Sequence, residues 1–443
     1  MYYTIYKEKK CLKKKGKKRM KEKKIQIKEG ITLHYIPTNK FKNNMLAVFL
    51  TTPLDRKTVT WNSLLTAVLR RGTKTMPSQE KISENLEKMY GASFDCGVEK
   101  TGDNQVLKFY MESLNNEFLP EKENLLQESI DILLEVVWNP YLENGAFSRE
   151  YVEGEKHTIK QLIEGKIDDK AKYAVERTTE LMYPNKPYGL YKFGYLEDLE
   201  SITPENLYTH YQKLLQECKI DIFASGDINE EELVSMLMQN EQIQKLQDRK
   251  PNFICHTNAS ELEIPKTPNK VTESMNVSQG KLILGMYVDS KKPDDKYVAL
   301  LYNAILGGNA NSKLFQNVRE KASLAYTASS SYIRPKNIIF IKCGIEIENE
   351  AKTLEIIEKQ LQDIKKGEFS EEEIEICKKQ IISAIKGIPE GQDTEIIYYY
   401  GQEIAGENVS LEEYIQKVNA VTKQDIIALA QMINVHTVYF LKD

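Results

Sequence analysis

MLAVFLTTPLDRKTVTWNSLLTAVLRRG, residues Met45 to Gly72, runs from an apolar strand through a polar bend into a helix, and its plan occurs twice in the chain. KLILGMYVDSKKPDDKYVALLYNAILGG, Lys281 to Gly308, is the second copy, and Leu46–Gly72 and Leu282–Gly308 have identical spacing. In the first copy Leu64, Leu65, Val68 and Leu69 recur at the three-to-four-residue interval that lays one apolar stripe along a helix. Both copies continue into a second helix and a strand, LEKMYGASFD in one and VREKASLAYT in the other. Self-similarity over such a distance makes the chain two tandem units rather than one long fold.

The ends of the two units match as well. ITPENLYTHYQKLLQECKIDIFASGD, Ile202–Asp227, opens on a threonine cap with proline in the first helical turn and closes on a β-rich run; VTKQDIIALAQMINVHTVYFLKD, Val421–Asp443, repeats that order of cap, helix and β-rich run. Within the first unit Asn104–Glu112 alternates apolar and polar positions and is expected to pair with Ser93–Glu99 across a Lys-Thr-Gly-Asp turn. Long helices such as NLLQESIDILLEVVWNP and TLEIIEKQLQDIKKG complete each unit. Hairpin-joined strands with helices laid on one face predict an α+β fold of two homologous two-layer α/β sandwich domains in tandem. The expected boundaries are a basic, disordered arm over 1–24, a first domain over 25–235, a polar, proline-containing linker over 236–270 and a second domain over 271–443.

Composition narrows the function classes. A chain of 443 residues, 41% hydrophobic and 28% charged, can bury two sizeable cores. Its net charge of −4 offers no electrostatic footprint for nucleic acid or a membrane surface. No apolar run approaches the roughly 18 residues that span a bilayer, and no apolar h-region follows the basic N-terminus. Cys11, Cys96, Cys218, Cys255, Cys343 and Cys377 lie far apart with no C-x-x-C pair, which fits a reducing, cytoplasmic compartment. The lysine-rich opening, ending KKKGKKRM, uses amino acids with purine-rich codons, as a translated ribosome-binding site would, so Met20 is the expected native start. His34, His157, His210, His256 and His436 are scattered, no two of them three or four residues apart, and they suggest no metal site.

Four segments carry a family resemblance over Lys24 to Asp443: LGGNANSKLFQNVREKASLAYTASSSY, ELMYPNKPYGLYKFG, ITPENL and SGDIN, set on the tandem repeat. The chain resembles the pitrilysin and insulinase metallopeptidase family in its short form, typified by the subunits of mitochondrial processing peptidase. That family builds its zinc site on the first helix of the first domain as His-x-x-Glu-His upstream of a Gly-Thr pair. Two imidazoles one turn apart then ligate zinc and the glutamate serves as general base for the bound water. Counting back from Gly72-Thr73 places Ser63 and Ala67 at the two histidines and Thr66 at the glutamate. Gln161 and Leu162 fall near the column of the third ligand, with Glu155 and Glu164 as substitutes. A lone carboxylate without imidazoles would make a poor zinc site.

What the resemblance retains is in the second domain. Arg319 and Tyr326, seven residues apart in NVREKASLAY, match the pair that this family uses beside a zinc site to hold the substrate backbone and support the oxyanion. In short-form members two chains close into a chamber, and the pair of one chain completes the zinc site of the other. The resemblance therefore implies a non-catalytic subunit that binds no metal itself and meets a zinc-bearing homologue and a peptide substrate, and composition adds the expectation of a cytoplasmic protein with no nucleic-acid or membrane partner. Unequal bacterial pairs of this kind include those associated with the 5-aminopentanol modification of elongation factor P, and a composition rich in Lys, Ile, Asn and Tyr suits that group. A homodimeric peptide-binding or scaffold protein without proteolytic activity is the alternative. Two segments admit a plain reading beside the functional one. The hairpin Ser93–Glu112 corresponds to the one on which family members add substrate as a strand, and Gly307-Gly308 before NANSK is either a chamber-mouth loop or a helix C-cap.

Overall fold

The computed structural model describes residues 22–246, 249–255 and 262–443. The basic arm up to residue 21, the start expected at Met20, Cys11 and His256 lie outside the described residues. The first half contains β1 (Lys23–Lys28), β2 (Ile31–Pro37), β3 (Asn43–Pro53), α1 (Val59–Leu69), α2 (Gln79–Lys88), β4 (Ser93–Thr101), β5 (Asn104–Leu114) and α3 (Leu125–Trp138). A small hairpin of β6 (Leu142–Glu143) and β7 (Ala146–Phe147) leads to α4 (Arg149–Glu164), α5 (Lys170–Met182), α6 (Leu196–Leu199), α7 (Pro204–Glu217) and β8 (Lys219–Gly226). After α8 (Glu230–Gln239) and α9 (Glu241–Lys245), the second half follows as β9 (Asn269–Ser274), β10 (Gly280–Val288), α10 (Asp295–Gly307), β11 (Ala325–Ile333) and β12 (Ile338–Ile345). It ends with α11 (Glu350–Lys365), α12 (Glu371–Gly387), α13 (Gln392–Ala405), α14 (Leu411–Ala420), α15 (Lys423–Gln431) and β13 (Ile433–Lys442).

The repeat is preserved in the topology of five strands per half, the first sheet carrying β1 as an additional edge strand. The first sheet has the order β1-β2-β8-β3-β5-β4 and the second β11-β12-β10-β13-β9. Matching β3 to β10, β5 to β12, β4 to β11, β8 to β13 and β2 to β9 superimposes the two orders, and β2 with β8 and β9 with β13 are the parallel pairs of their sheets. The expected hairpin is β4–β5, turning at Gly102 with φ of +57°. Both half-ends begin with reciprocal caps: Thr203 with Asn206 on α7, and Thr422 with Asp425 on α15. The copies differ in their second helix, which is α-helical in α2 but a π-helical turn over Phe315–Lys321 in the second half. Gly307 ends α10 where that helix meets β11, and a Cβ there would stand 2.5 Å from the backbone nitrogen of Ser330.

Each sheet buries one face under helices of its own half. Leu64, Leu65 and Val68 of α1 and Leu133 and Val137 of α3 meet Leu107, Phe109 and Met111 of β5 in the first core. Leu301 and Ile305 of α10 meet Ile341 and Cys343 of β12 in the second. The opposite faces are covered by exchange. Ala174 and Met182 of α5 lie with Ile283, Phe340 and Tyr439 on the second sheet, while Ile396, Tyr400 and Ile404 of α13 lie with Ala47, Phe49 and Phe223 on the first. The halves are thus not self-contained, since each lends one helix to the other's sheet. Two boundaries also move. β1 begins inside the stretch assigned to the arm, and α8 and α9 occupy the start of the stretch assigned to the linker. The reason in the second case is apolar burial, because Leu237 and Ile243 join the first core.

A buried charge cluster ties α13 to the first sheet. His34, stacked on Phe223 at 4.4 Å, lies between Glu22 (2.6 Å) and Asp221 (2.9 Å); Lys219 bonds Asp221 and reaches Glu403 of α13 at 3.1 Å, and Lys24 holds Glu403 at 2.7 Å. Burial alone would lower the His34 pKa, but the two carboxylates bonded to it raise it above 6.5. Burial would raise that of Glu403, yet Lys219 and Lys24 bring it to about 2. A raised histidine stabilises fully below its unfolded pKa of 6.5 and loses that contribution as pH rises through the folded value. A depressed glutamate stabilises above 4.5 and loses its contribution as pH falls towards about 2. Urea midpoints measured across pH should therefore be highest between these limits, and His34→Gln should flatten the alkaline decline; an unchanged decline in that variant would remove His34 as its cause.

Candidate functional site

The α1 positions expected to be degenerate lie together, and the side chains around them form a closed network of neutral groups. Ser63 Oγ donates towards the carbonyls of Lys192 (2.9 Å) and Val59 (3.1 Å) and accepts from Gln105 Nε2 (3.3 Å). Gln105 Nε2 also reaches the Lys192 carbonyl (2.9 Å) and the Val59 carbonyl (3.0 Å), and its Oε1 accepts from Asn62 Nδ2 (2.9 Å). Asn62 Oδ1 is 2.7 Å from His210 Nε2. Burial, with the Lys213 charge, pushes the His210 pKa down to about 4, so its ring is neutral at neutral pH and donates to Asn62. Thr66 Oγ1 donates to the Asn62 carbonyl one turn back (2.8 Å), and Ala67 contributes only its methyl to the apolar core. The Cys96 thiol of β4 faces the Thr66 carbonyl at 3.8 Å and is pushed up to about 12 by burial, which makes it a packed group rather than a nucleophile.

Tertiary contacts hold this network shut. The Lys192 carbonyl belongs to the turn that ends at Gly194, whose φ of +86° and contact with Thr60 of α1 exclude a side chain. Thr60 Oγ1 accepts from the Tyr195 amide (3.0 Å) and donates to Asp198 (2.5 Å), and Arg56 clasps Asp198 (2.6 Å) and Glu197 (2.7 Å) while lying 4.0 Å over the Tyr195 ring. Asn62, Gln105 and His210 escaped the sequence reading because they come from three distant elements. One signal was present: Gln105 is in phase with Leu107, Phe109 and Met111, the inward face of β5. Gln105→Leu leaves Asn62 and the Lys192 carbonyl short of a partner and should cost about 1–3 kcal/mol in urea denaturation; a change of less than about 0.5 kcal/mol would show that water replaces the amide.

The donor set does not fit zinc. Ser63 and Thr66 hydroxyls are committed to backbone carbonyls, Ala67 has no donor, and Gln161 bonds His157 (3.0 Å). Leu162 is an exposed apolar side chain. Of the substitutes, Glu155 is buried against Arg71 (3.3 Å), and Glu164 faces Lys160 at 3.8 Å. No group of three or more His, Cys, Asp or Glu among the described residues could hold a metal ion.

The second-half pair is arranged in the opposite manner, towards solvent. Arg319 lies on the π-helical turn with its guanidinium 4.6 Å over the Phe315 ring and Nε 3.7 Å from Glu320. Ser323, in the left-handed region at φ +53°, turns the chain from there into β11. In the β11–β12 ladder Ala325 pairs with Ile345 and Thr327 with Gly344, so Tyr326 is the extra residue of a β-bulge. The bulge breaks the inward–outward alternation and leaves Tyr326 64% exposed on an edge strand, its hydroxyl donating to Glu346 at 3.1 Å. That hydrogen bond raises the phenol above its ordinary pKa and keeps it a donor. Among the described residues, neither Arg319 nor Tyr326 bonds to the α1 positions.

The likenesses of the chain agree with this geometry. Residues 201–381 match the family model described as "Peptidase M16 inactive domain". "Probable inactive metalloprotease YmfF" of Bacillus subtilis (strain 168) is 35% identical over 421 residues, covering 93% of this chain and 96% of that protein. Mitochondrial-processing peptidase subunit beta of Saccharomyces cerevisiae is 22% identical over 333 residues, 69% of this chain and 68% of that one. Among solved structures, a conserved protein from Enterococcus faecalis V583 has a TM-score of 0.85 at 30% identity over 95% of this chain and 98% of its own. A peptidase M16 inactive domain from Pseudomonas fluorescens, with a TM-score of 0.76 at 18% identity over 96% and 98%, shares the fold. No helix among the described residues is long and apolar enough to cross a membrane.

Proposed function

The chain belongs to the M16 peptidase family, and we propose that within it the protein is the non-catalytic, cytoplasmic subunit of a heterodimeric zinc-dependent processing endopeptidase. The metal and its activated water sit on a zinc-bearing homologous subunit. This chain supplies Arg319, Tyr326 and chamber wall. One contrast carries the reading: the first-half position is filled with committed neutral groups, while Arg319 on the π-helical turn and Tyr326 at the bulge of the edge strand are exposed and, among the described residues, engage only Phe315, Glu320 and Glu346 beside them. A guanidinium offers fixed donors to peptide carbonyls, and a protonated phenol can donate to the oxygen that gains charge during acyl attack. The relationship to a processing-peptidase subunit supports the same assignment. The edge strand β4 would accept an extended peptide by main-chain pairing.

Co-expression with the zinc-bearing M16 homologue of the same genome tests this directly. The expected result is a one-to-one complex in light scattering, and peptide cleavage that needs both chains and is lost with chelator. A chain that stays apart from that homologue overturns the assignment. If it instead forms a homodimer that binds peptide without turnover, the peptide-binding scaffold is the correct reading.

A further inference from the structure

A cleft of about 680 Å³ lies where α4, α5 and the Tyr191–Phe193 turn of the first half face β12 of the second. Four lysines line it: Lys166, Lys172, Lys192 and Lys342. Its two acidic wall residues are already engaged. Asp169 caps α5 through the amides of Ala171 (3.1 Å) and Lys172 (3.0 Å) and stands 3.5 Å from the Lys172 ammonium, and Glu176 lies 3.7 Å from Lys100. Lys166 bonds Glu180, a carboxylate shared with Arg177 at 2.8 Å, and Lys192 is held by Glu99 at 3.0 Å.

Lys342 differs from the other three. It lies two residues beyond Phe340 on the face of β12 turned towards α5, and no carboxylate, hydrogen-bond acceptor or ring partners its ammonium among the described residues. Burial alone pushes its pKa down, so the charged form lacks compensation that an incoming carboxylate would provide. In the β11–β12 ladder Lys342 stands opposite Ser329, three residues along the edge strand from Tyr326, or roughly 10 Å at strand rise. Tyr173, Tyr191 and Phe193 add aromatic wall on the other side.

We propose that this cleft selects acidic peptide segments, with Lys342 receiving a side-chain carboxylate a few residues from the bond presented at Arg319 and Tyr326. The inference rests on the peptide-binding reading above and adds the substrate class to it. A basic segment would instead set a like charge against the uncompensated Lys342 ammonium, which disfavours it.

The test uses the full chain and three fluorescein-labelled Ser-Gly peptides carrying interspersed glutamates, glutamines or lysines, titrated by anisotropy. The glutamate peptide should bind at least about tenfold more tightly than the glutamine peptide, with the preference shrinking as salt is added. Lys342→Glu should lower glutamate-peptide affinity by about tenfold or more and improve that of the lysine peptide, and Lys342→Met should abolish the preference with an unchanged melting curve. Equal binding of all three peptides, tighter binding of the lysine peptide, or a preference that survives Lys342→Met overturns the acidic selectivity while peptide binding stands. No binding of any peptide overturns both.

Discussion

Asp103→Ala should destabilise the protein by about 3–5 kcal/mol, because it removes the carboxylate from a fully buried ammonium. Lys336 Nζ lies 3.0 and 3.1 Å from the two Asp103 oxygens, with its side chain 2% and that of Asp103 0% exposed. The pair joins the β4–β5 turn of the first half to the β11–β12 connection of the second. Burial already lowers the Lys336 pKa, so the ammonium keeps its charge at a cost that Asp103 offsets. The Tyr183 and Tyr188 rings, 5.0 and 5.3 Å from that ammonium, recover only part of the loss. Urea denaturation of Asp103→Ala, Lys336→Met and the double variant gives the coupling directly. The double variant should recover much of the loss, since a buried pair replaced by apolar groups is often near neutral. A loss below about 1 kcal/mol in Asp103→Ala would mean that other contacts of the ammonium or water take the place of this partner.

In the proposed two-chain peptidase, Arg319→Ala should lower kcat/KM by about 10²–10³ while leaving assembly intact. The guanidinium is exposed and holds no other element in place, being stacked on Phe315 within its own turn, so melting of the isolated chain should not move. Tyr326→Phe should lose less, about tenfold to a hundredfold, and mostly in kcat, because a phenol that donates to a developing oxyanion acts in the transition state rather than on bound substrate. Unchanged turnover in both variants would remove the pair from the chemistry. Loss of assembly would show instead that they serve the interface.

What could be read from the chain depended on how local the determining physics was. The β4–β5 hairpin, the capped helices α7 and α15 and the two strand–helix copies follow from residues within a few positions of one another. Gln105, Asn62 and His210 had no such signature, for they meet only after β5, α1 and α7 pack. Tyr326 had a partial one. Its segment, AYTASSSY, reads as a strand, but the extra residue that turns the phenol outward exists only in the pairing with Ile345 and Gly344. The acidic selectivity assigned to the cleft depends on Lys342 standing opposite α4 and α5, some 180 residues earlier in the chain.

By itself the sequence determined the tandem repeat, the α+β class, the family and the absence of imidazoles from α1. These are properties of residue identity and of periods of two and 3.6, which the chain carries before it folds. Tertiary structure alone decided that α5 and α13 change places between the sheets. An apolar stripe specifies that a helix face is buried but not which sheet buries it, and two sheets that share a five-strand order offer similar faces. It also decided that the surroundings of Ser63 on α1 close into an amide and hydroxyl network, since buried polar groups must find partners and the nearest were brought there by other elements.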